Sequence, residues 1–269
     1  MMASKKIDLS IIIVNYNGLQ YLDECVSSIE LKCIGLSYEV IFVDNKSTDS
    51  SVAFICSHYP WVKVITSDTN LGFAKGNNLG VANSSGENVL LLNSDTVLLT
   101  ELRVFMDIIR SEDIGVVGAK MFGPNNEPRR SFGRFPNALM MLKLSRMYFD
   151  TRGSDNGILD VDWVEGSFLL TRRSVWELVG GLDPEYFMYV EDVDYCKKVS
   201  IHGYRRVCNL DSDYIHYGGY GETRQGWLED GFRIYANNFS RGYALTIFNF
   251  LITVGFGLRN AKRYLRKLT

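Results

Sequence analysis

Two short acidic clusters hold the side chains of this 269-residue chain that are most able to do chemistry. The first follows Val89 to Leu92, four apolar residues that read as a strand buried on both faces. Its carboxyl end delivers Asn93, Ser94, Asp95 and Thr96, and open α/β sheets bind ligands at the carboxyl ends of their strands. A carboxylate there can hold a divalent cation, and the cation a diphosphate, because hard carboxylate and phosphate oxygens share one coordination shell. The competing reading is a turn in which Asp95 or Thr96 caps a helix over residues 101–110. The second cluster, Glu191-Asp192-x-Asp194, opens a helical pattern. Acidic residues there favour the helix dipole whatever else they do; a carboxylate so placed is also a candidate general base.

These clusters need a scaffold. Leu9–Val14, Tyr38–Val43, Val62–Thr66 and Val89–Leu92 read as strands. Between the first two, Leu22, Cys25, Val26 and Ile29 share a helical face, and a second helix is expected over residues 50–57. Strand and helix alternating at this spacing predict a mostly parallel sheet with right-handed crossovers. The first two strands end in Asn15-Tyr16-Asn17-Gly18 and in Asp44-Asn45-Lys46-Ser47-Thr48-Asp49; the third leads into Asn70 to Asn78. That last segment contains glycine but is neither a dinucleotide fingerprint nor a P-loop. Beyond Arg110 the pattern predicts a strand over 116–121 and an exposed loop over 123–136, which holds three of the five prolines. A flexible stretch is expected over 151–157, one strand over 161–170, a helix over 173–179 stopped by Gly180-Gly181, and a strand over 205–208. Residues 1–230 read as one domain, with a nucleotide-binding half over about 7–110 and an acceptor and catalytic half over about 111–230.

Composition excludes several classes. The chain carries 29 basic and 31 acidic residues, but no acidic residue follows Asp230 while seven basic ones do, so the preceding part holds 22 basic against 31 acidic. An acidic body argues against nucleic acid as partner. Cys25, Cys33, Cys56, Cys196 and Cys208 are odd in number and form no C-x-x-C pair, which suits a reducing cytoplasm better than a disulfide framework or a zinc site.

The ordered set Val14-Asn15-Tyr16-Asn17, Val43-Asp44-Asn45-x-Ser47-x-Asp49, Asn70-x-Gly72-Phe73-Ala74-x-Gly76-Asn77-Asn78, Leu92-Asn93-Ser94-Asp95 and Glu191-Asp192-x-Asp194 resembles the inverting family 2 glycosyltransferases of GT-A fold. Within them it is most similar to the bacterial rhamnosyltransferase-like branch that builds surface polysaccharide. The similarity covers about Leu9 to His216, and five motifs in order are far more specific than any one of them. The resemblance implies an α/β, Rossmann-like GT-A fold, with a mostly parallel central sheet flanked by helices and a helical C-terminal tail. It implies inverting transfer from a dTDP- or UDP-sugar, dTDP-rhamnose foremost, to a polysaccharide or lipid-linked acceptor.

The same resemblance distributes roles. Asn15, Tyr16 and Asn17 would border the base and ribose, though a turn accounts equally for Asn17. Asp44, followed by Asn45, would accept the imide N–H of uracil or thymine, while Ser47 caps the next helix. Asn70, Gly72, Phe73, Asn77 and Asn78 would border the nucleotide and donor sugar. Asn93 and Ser94 fall in the family's metal motif, where Asn93 replaces the first aspartate and leaves Asp95 as the one carboxylate. Asp95 with His216 would hold Mn²⁺ or Mg²⁺, an imidazole favouring Mn²⁺; a hydrogen-bonded structural histidine is the competing reading. Asp192 would be the base, with Glu191 positioning the acceptor or raising the base's pKa. Trp163, Glu165 and Asp194 would contact the acceptor, Trp163 either as a sugar platform or as packing. Two other readings stay open: a nucleotide-binding subunit without catalysis, suggested by Asn93, and a nucleotidyltransferase, which would need a phosphate-gripping basic loop not evident here.

Residues 231–269 form a tail in which the apolar stretch Tyr243–Leu258 is short for a membrane span and is followed by Arg259, Lys262, Arg263, Arg266 and Lys267. Such a helix over 243–267 can lie on an anionic membrane surface or pack on the domain or a second subunit. The expected location is cytoplasmic and peripheral, at the inner face of the cell membrane, with the oligomeric state open.

Overall fold

The computed structural model describes residues 6–142, 157–218 and 224–268; the flexible stretch expected over 151–157 lies, except for Gly157, outside the described residues. The elements run β1 (Leu9–Asn15), α1 (Leu19–Lys32), β2 (Tyr38–Asp44), α2 (Ser51–His58), β3 (Lys63–Thr66), α3 (Gly72–Ala82), β4 (Asn88–Asn93), β5 (Thr96–Leu98), α4 (Leu102–Ile109) and β6 (Ile114–Phe122). The second half adds β7 (Pro128–Arg129), β8 (Phe132–Gly133), α5 (Ala138–Met141), β9 (Ile158–Asp160), β10 (Trp163–Val164), β11 (Phe168–Arg172), α6 (Arg173–Val179), α7 (Glu191–Ile201), β12 (Arg205–His216), α8 (Arg224–Phe239) and α9 (Gly242–Leu268).

The main sheet has the order β3-β2-β1-β4-β11-β6-β12-β5. β1 lies parallel to β2 and β4, β2 to β3, and β12 to β6, while β11 and β5 run antiparallel to their neighbours. The sheet is therefore mixed and mostly parallel. Alternate side chains of each central strand face opposite layers. Ile11, Ile13, Phe42, Leu90 and Leu92 join the core that holds Leu22 and Ile29 of α1 and Phe105 of α4. Ile12, Ile41, Val43 and Leu91 join the core on the other side, with Val193 and Cys196 of α7, Phe232 of α8 and Phe256 of α9.

Four expectations change. The residues after Asp95 do not cap a helix: β5 intervenes, the Thr96 hydroxyl donates to the carbonyl of Asn93 at 2.7 Å, and α4 starts only at Leu102 with no side-chain cap. The strand expected over 161–170 is two strands, because Glu165 to Ser167 turn the chain from β10 to β11. The loop over 123–136 contains β7, paired with β6, and β8, paired with β10. β12 runs unbroken to His216, absorbing an irregularity between Asn209 and Asp213, and so sets His216 opposite Thr96.

α8 and α9 form an antiparallel hairpin. The Arg233 guanidinium donates to the Thr253 hydroxyl at 2.9 Å and the Phe232 and Phe256 rings meet at 6.3 Å. Gly255 lets α9 approach α5 closely, since a Cβ there would lie 2.4 Å from the Met141 carbonyl oxygen. Residues Gly242–Arg259 are long and apolar enough to cross a membrane by length and composition.

Candidate active site

Sheet register brings the polar strand ends together: Asn15 pairs with Asp44, and Val14 with Asn93. Asp44 is 4% exposed; its Oδ2 accepts the Ser47 N–H at 3.0 Å, and its Oδ1 has no partner among the described residues. A buried carboxylate oxygen left unpaired is costly unless a ligand completes it. The Oδ1 of Asn15 is unpaired in the same way, while its amide donates to the Ser47 hydroxyl at 3.1 Å. Ser47 does not cap α2 as expected. Its hydroxyl oxygen accepts from Asn15 and from the Asn17 N–H at 2.9 Å, and Asp49 Oδ1 takes the Ser51 N–H at 3.0 Å instead. Asn17 sits at φ +54° and its Oδ1 accepts the Thr48 N–H at 2.7 Å, so it links the two strand-end loops. Tyr16 is 55% exposed beside them.

The α3 residues divide differently from expectation. Asn45 donates to the Gly72 carbonyl at 2.9 Å, Asn77 to the Phe73 carbonyl at 2.9 Å, and Asn78 exchanges hydrogen bonds with both backbone groups of Leu182, at 2.7 and 3.1 Å. Asn70 Oδ1 accepts the Gly72 N–H at 3.0 Å. The side-chain amides of Asn45, Asn77 and Asn78 therefore help to build the loop, each donating to a backbone carbonyl. Gly72, at φ +74°, allows the 187 segment to close on it: the Phe73 N–H donates to the Phe187 carbonyl at 2.7 Å. Phe73 itself reaches across to Gly166 and lies beside Asp192.

Asp95, His216 and Asn93 converge. His216 Nε2 lies 3.2 Å from Asp95 Oδ1 and 3.2 Å from Asn93 Nδ2, and the Gly218 N–H donates to Asp95 Oδ2 at 3.0 Å. Burial works against the charge on Asp95, but the hydrogen bond and charge of His216 outweigh it and hold the carboxyl below its usual range. Burial likewise disfavours charge on His216, and Asp95 more than compensates, raising the imidazole. Among the described residues no three His, Cys, Asp or Glu side chains gather as a metal cage. One carboxylate, one imidazole and an adjacent amide still fit a cation whose remaining ligands are phosphate oxygens.

The turn from Glu165 to Ser167 joins this end to the second acidic cluster. Ser167 accepts the Asn93 N–H on its carbonyl at 3.1 Å, and the Gly166 N–H donates to Asp192 Oδ2 at 2.9 Å. Burial pushes the Glu165 carboxyl up to about 7, with Asp192 and Asp95 adding to the rise and His216 and Arg224 opposing it. Burial and the neighbouring Asp192 charge push Glu191 up to about 8, and its Oε2 has no partner among the described residues. Burial also raises Asp192. Tyr189 and Val190, immediately before α7, both adopt left-handed φ, +74° and +76°, which is strained backbone, most of all for a β-branched residue. Asp192, two residues beyond Val190, is the one that reaches the turn, through Gly166.

Two acceptor-side expectations are corrected. Trp163 is 6% exposed, joins the core and donates its ring N–H to the Arg134 carbonyl at 2.9 Å, so it is packing and not a sugar platform. Asp194 is fully buried. It accepts from Tyr186 at 3.0 Å and Asn238 at 2.8 Å and pairs with Lys198 at 2.7 Å, fastening α7 to α8. Sequence reasoning missed the aromatic pair Phe187 and Trp227, 5.2 Å apart, whose Phe187 packs on Gly72, and the neighbouring Arg224, stacked on Tyr189 at 5.4 Å. Phe187 stood in the aromatic run before Glu191, but only the α8 packing brings Trp227 to it.

The family model described as "Glycosyl transferase family 2" matches residues 10–179. The chain belongs to glycosyl transferase family 2. A hexosyltransferase of low-salt glycan biosynthesis, Agl10 of Haloferax volcanii, is 28% identical over 85% of this chain and 72% of its own. The N-acetylglucosaminyl-diphospho-decaprenol L-rhamnosyltransferase of Mycobacterium tuberculosis is 25% identical over 80% of this chain and 78% of its own. The mannosyltransferase PcManGT of Pyrobaculum calidifontis, solved with GDP-Man and Mn²⁺, superposes with a TM-score of 0.61 at 15% identity, covering 96% of this chain and 74% of that one. The fold of this family 2 member is accordingly GT-A, and its activity is that of a nucleotide-sugar-dependent glycosyltransferase.

Proposed function

We propose that this enzyme transfers a sugar with inversion from a dTDP- or UDP-sugar, dTDP-rhamnose foremost, to a polysaccharide or lipid-linked oligosaccharide acceptor on the cytoplasmic side of a membrane. The observation that carries it is the turn Glu165–Ser167, which holds Asp192 on one side and the Asn93–Asp95 strand end on the other. An inverting transfer needs a base and a leaving-group site facing each other across one sugar. Asp192 takes the proton of the acceptor hydroxyl as its oxygen bonds to the anomeric carbon, and the bond from that carbon to the diphosphate breaks on the opposite face. Burial raises the Asp192 carboxyl above its ordinary value, the direction that strengthens it as a base. The unpaired Asp44 Oδ1 accepts the imide N–H of the donor base. Asp95 and His216, with Asn93 beside them, would hold a divalent cation, which would supply charge neutralisation for the diphosphate leaving group. Phe73, whose ring packs against Gly166 at the Glu165–Ser167 turn, would border the donor sugar. The rhamnosyltransferase relative, named for a diphospho-decaprenol acceptor, supports the lipid-linked choice.

Asp192→Asn tests the base. Transfer is expected to fall by about 10²–10⁴-fold with donor binding by calorimetry retained; near-normal transfer in a protein that binds donor overturns the assignment. Asn93 in the metal motif favours a second reading, a binding subunit without catalysis. Slow Mn²⁺-dependent hydrolysis of bound donor by the wild type counts against it.

A further inference from the structure

Helix α9 has two apolar faces and packs only one. Phe248, Ile252 and Phe256 are buried against the body at 5%, 0% and 1% exposure. On the other side Tyr243, Ile247, Phe250 and Leu258 are 90%, 54%, 64% and 63% exposed, with half-buried Val254 in line between the last two. Steps of three and four residues keep these five on one stripe of a helix.

We propose that this stripe, together with the basic end of α9, seats the protein flat on an anionic lipid bilayer. The charge distribution selects the occupant. No acidic residue follows Asp230, and five of the seven basic residues beyond it, Arg259, Lys262, Arg263, Arg266 and Lys267, lie in the last eleven positions. An apolar helical face ending in a basic cluster matches acyl chains below and anionic headgroups at one end. A second copy seated stripe on stripe would set α9 against α9, and neither has a carboxylate to meet the other's cations. Spanning the bilayer is incompatible with the face already committed to Phe232 and Met141.

The hairpin gives the docked protein a direction. Because Arg233 meets Thr253 and Phe232 meets Phe256, the chain beyond Arg259 runs toward the Arg224 end of α8. That is the end where Trp227 meets Phe187 and Arg224 meets Tyr189, next to Glu191. The basic end of the helix therefore runs toward the end of α8 that meets Phe187 and Tyr189, so a bound surface would present its headgroups near the Glu191–Asp192 cluster. The inference rests on the proposed use of a lipid-linked acceptor, which would be delivered from that surface.

Flotation of the full chain with vesicles tests it. Binding is expected to equimolar phosphatidylglycerol and phosphatidylcholine at low salt, to weaken by about tenfold or more on pure phosphatidylcholine, and to fall again as salt rises. Ile247→Asp with Phe250→Asp, and separately Lys262→Gln, Arg263→Gln, Arg266→Gln and Lys267→Gln combined, should each weaken binding by about tenfold or more while leaving the melting temperature and the hydrolysis of donor in solution unchanged. Absence of binding to the anionic vesicles, binding indifferent to both sets of changes, or a dimer in solution that the Phe250 change dissolves overturns the proposal. Donor hydrolysis is read without vesicles, so loss of the transferase assignment and loss of the docking surface are separate results.

Discussion

Glu191 and Asp192 cannot both be charged cheaply, since burial disfavours each anion and each anion disfavours the other. Glu191 is the one whose folded pKa, about 8, stands far above the ordinary 4.5. A carboxyl raised in this way contributes stability that is complete below its unfolded pKa and is lost as pH climbs through the folded one. Thermal unfolding should therefore show a melting temperature that declines between about pH 4.5 and 8. Glu191→Gln should flatten that decline; an unaltered slope would show that other groups cause it. Asp44 supplies a second residue-level expectation. If its unpaired Oδ1 receives the imide N–H, Asp44→Asn weakens nucleoside diphosphate binding by about tenfold or more, measured by calorimetry with UDP and dTDP, and equal affinity in both proteins removes the role.

At the scale of elements, α7 does two jobs with adjacent carboxylates. Asp192 faces the turn between β10 and β11, whereas Asp194 points into the body and ties α7 to Tyr186, Lys198 and Asn238. Asp194→Asn should cost about 2 kcal/mol in chemical denaturation and leave the acceptor KM of the folded enzyme unchanged; a raised KM with unaltered stability would restore the acceptor role. Both residues look alike in the motif, because a helix start with three acids says nothing about which face each occupies. β1, β2 and β4 were legible as continuous apolar runs, as strands buried on both faces must be. β5, β7 and β8 were not, because two or three residues carry no periodicity and become strands only when a partner edge is present.

For the whole molecule, α9 is both a wall of the core and an outer surface. Ile252→Ala should cost about 2–5 kcal/mol as a core truncation, whereas Phe250→Ser on the outer stripe should change stability by no more than about 0.5 kcal/mol. Denaturant titration of both variants distinguishes them, and a comparable loss at Phe250 would mean that the outer face is also packed in solution. The same helix bears on two tail readings that composition left as alternatives: one face packs on α5 and α8 as the packing reading expects, and the other is the exposed stripe proposed above to meet a membrane.

The sequence by itself determined the family, the strands β1 to β4 with α1 and α2 between the first three of them, and the placing of Asp44, Asp95 and Asp192 at element ends, since hydrophobic runs and the polar residues that end them are local properties. Only the tertiary structure decided which polar side chains remain available. Asn45, Asn78, Trp163 and Asp194 are engaged by backbone, core or helix partners distant in the chain. Asp95 meets His216 across 121 positions because β5 and β12 pair, and Phe187 meets Trp227 because α8 folds back on the 187 segment. Long-range pairing and burial fix a side chain's partners, and neither is written in its immediate neighbours.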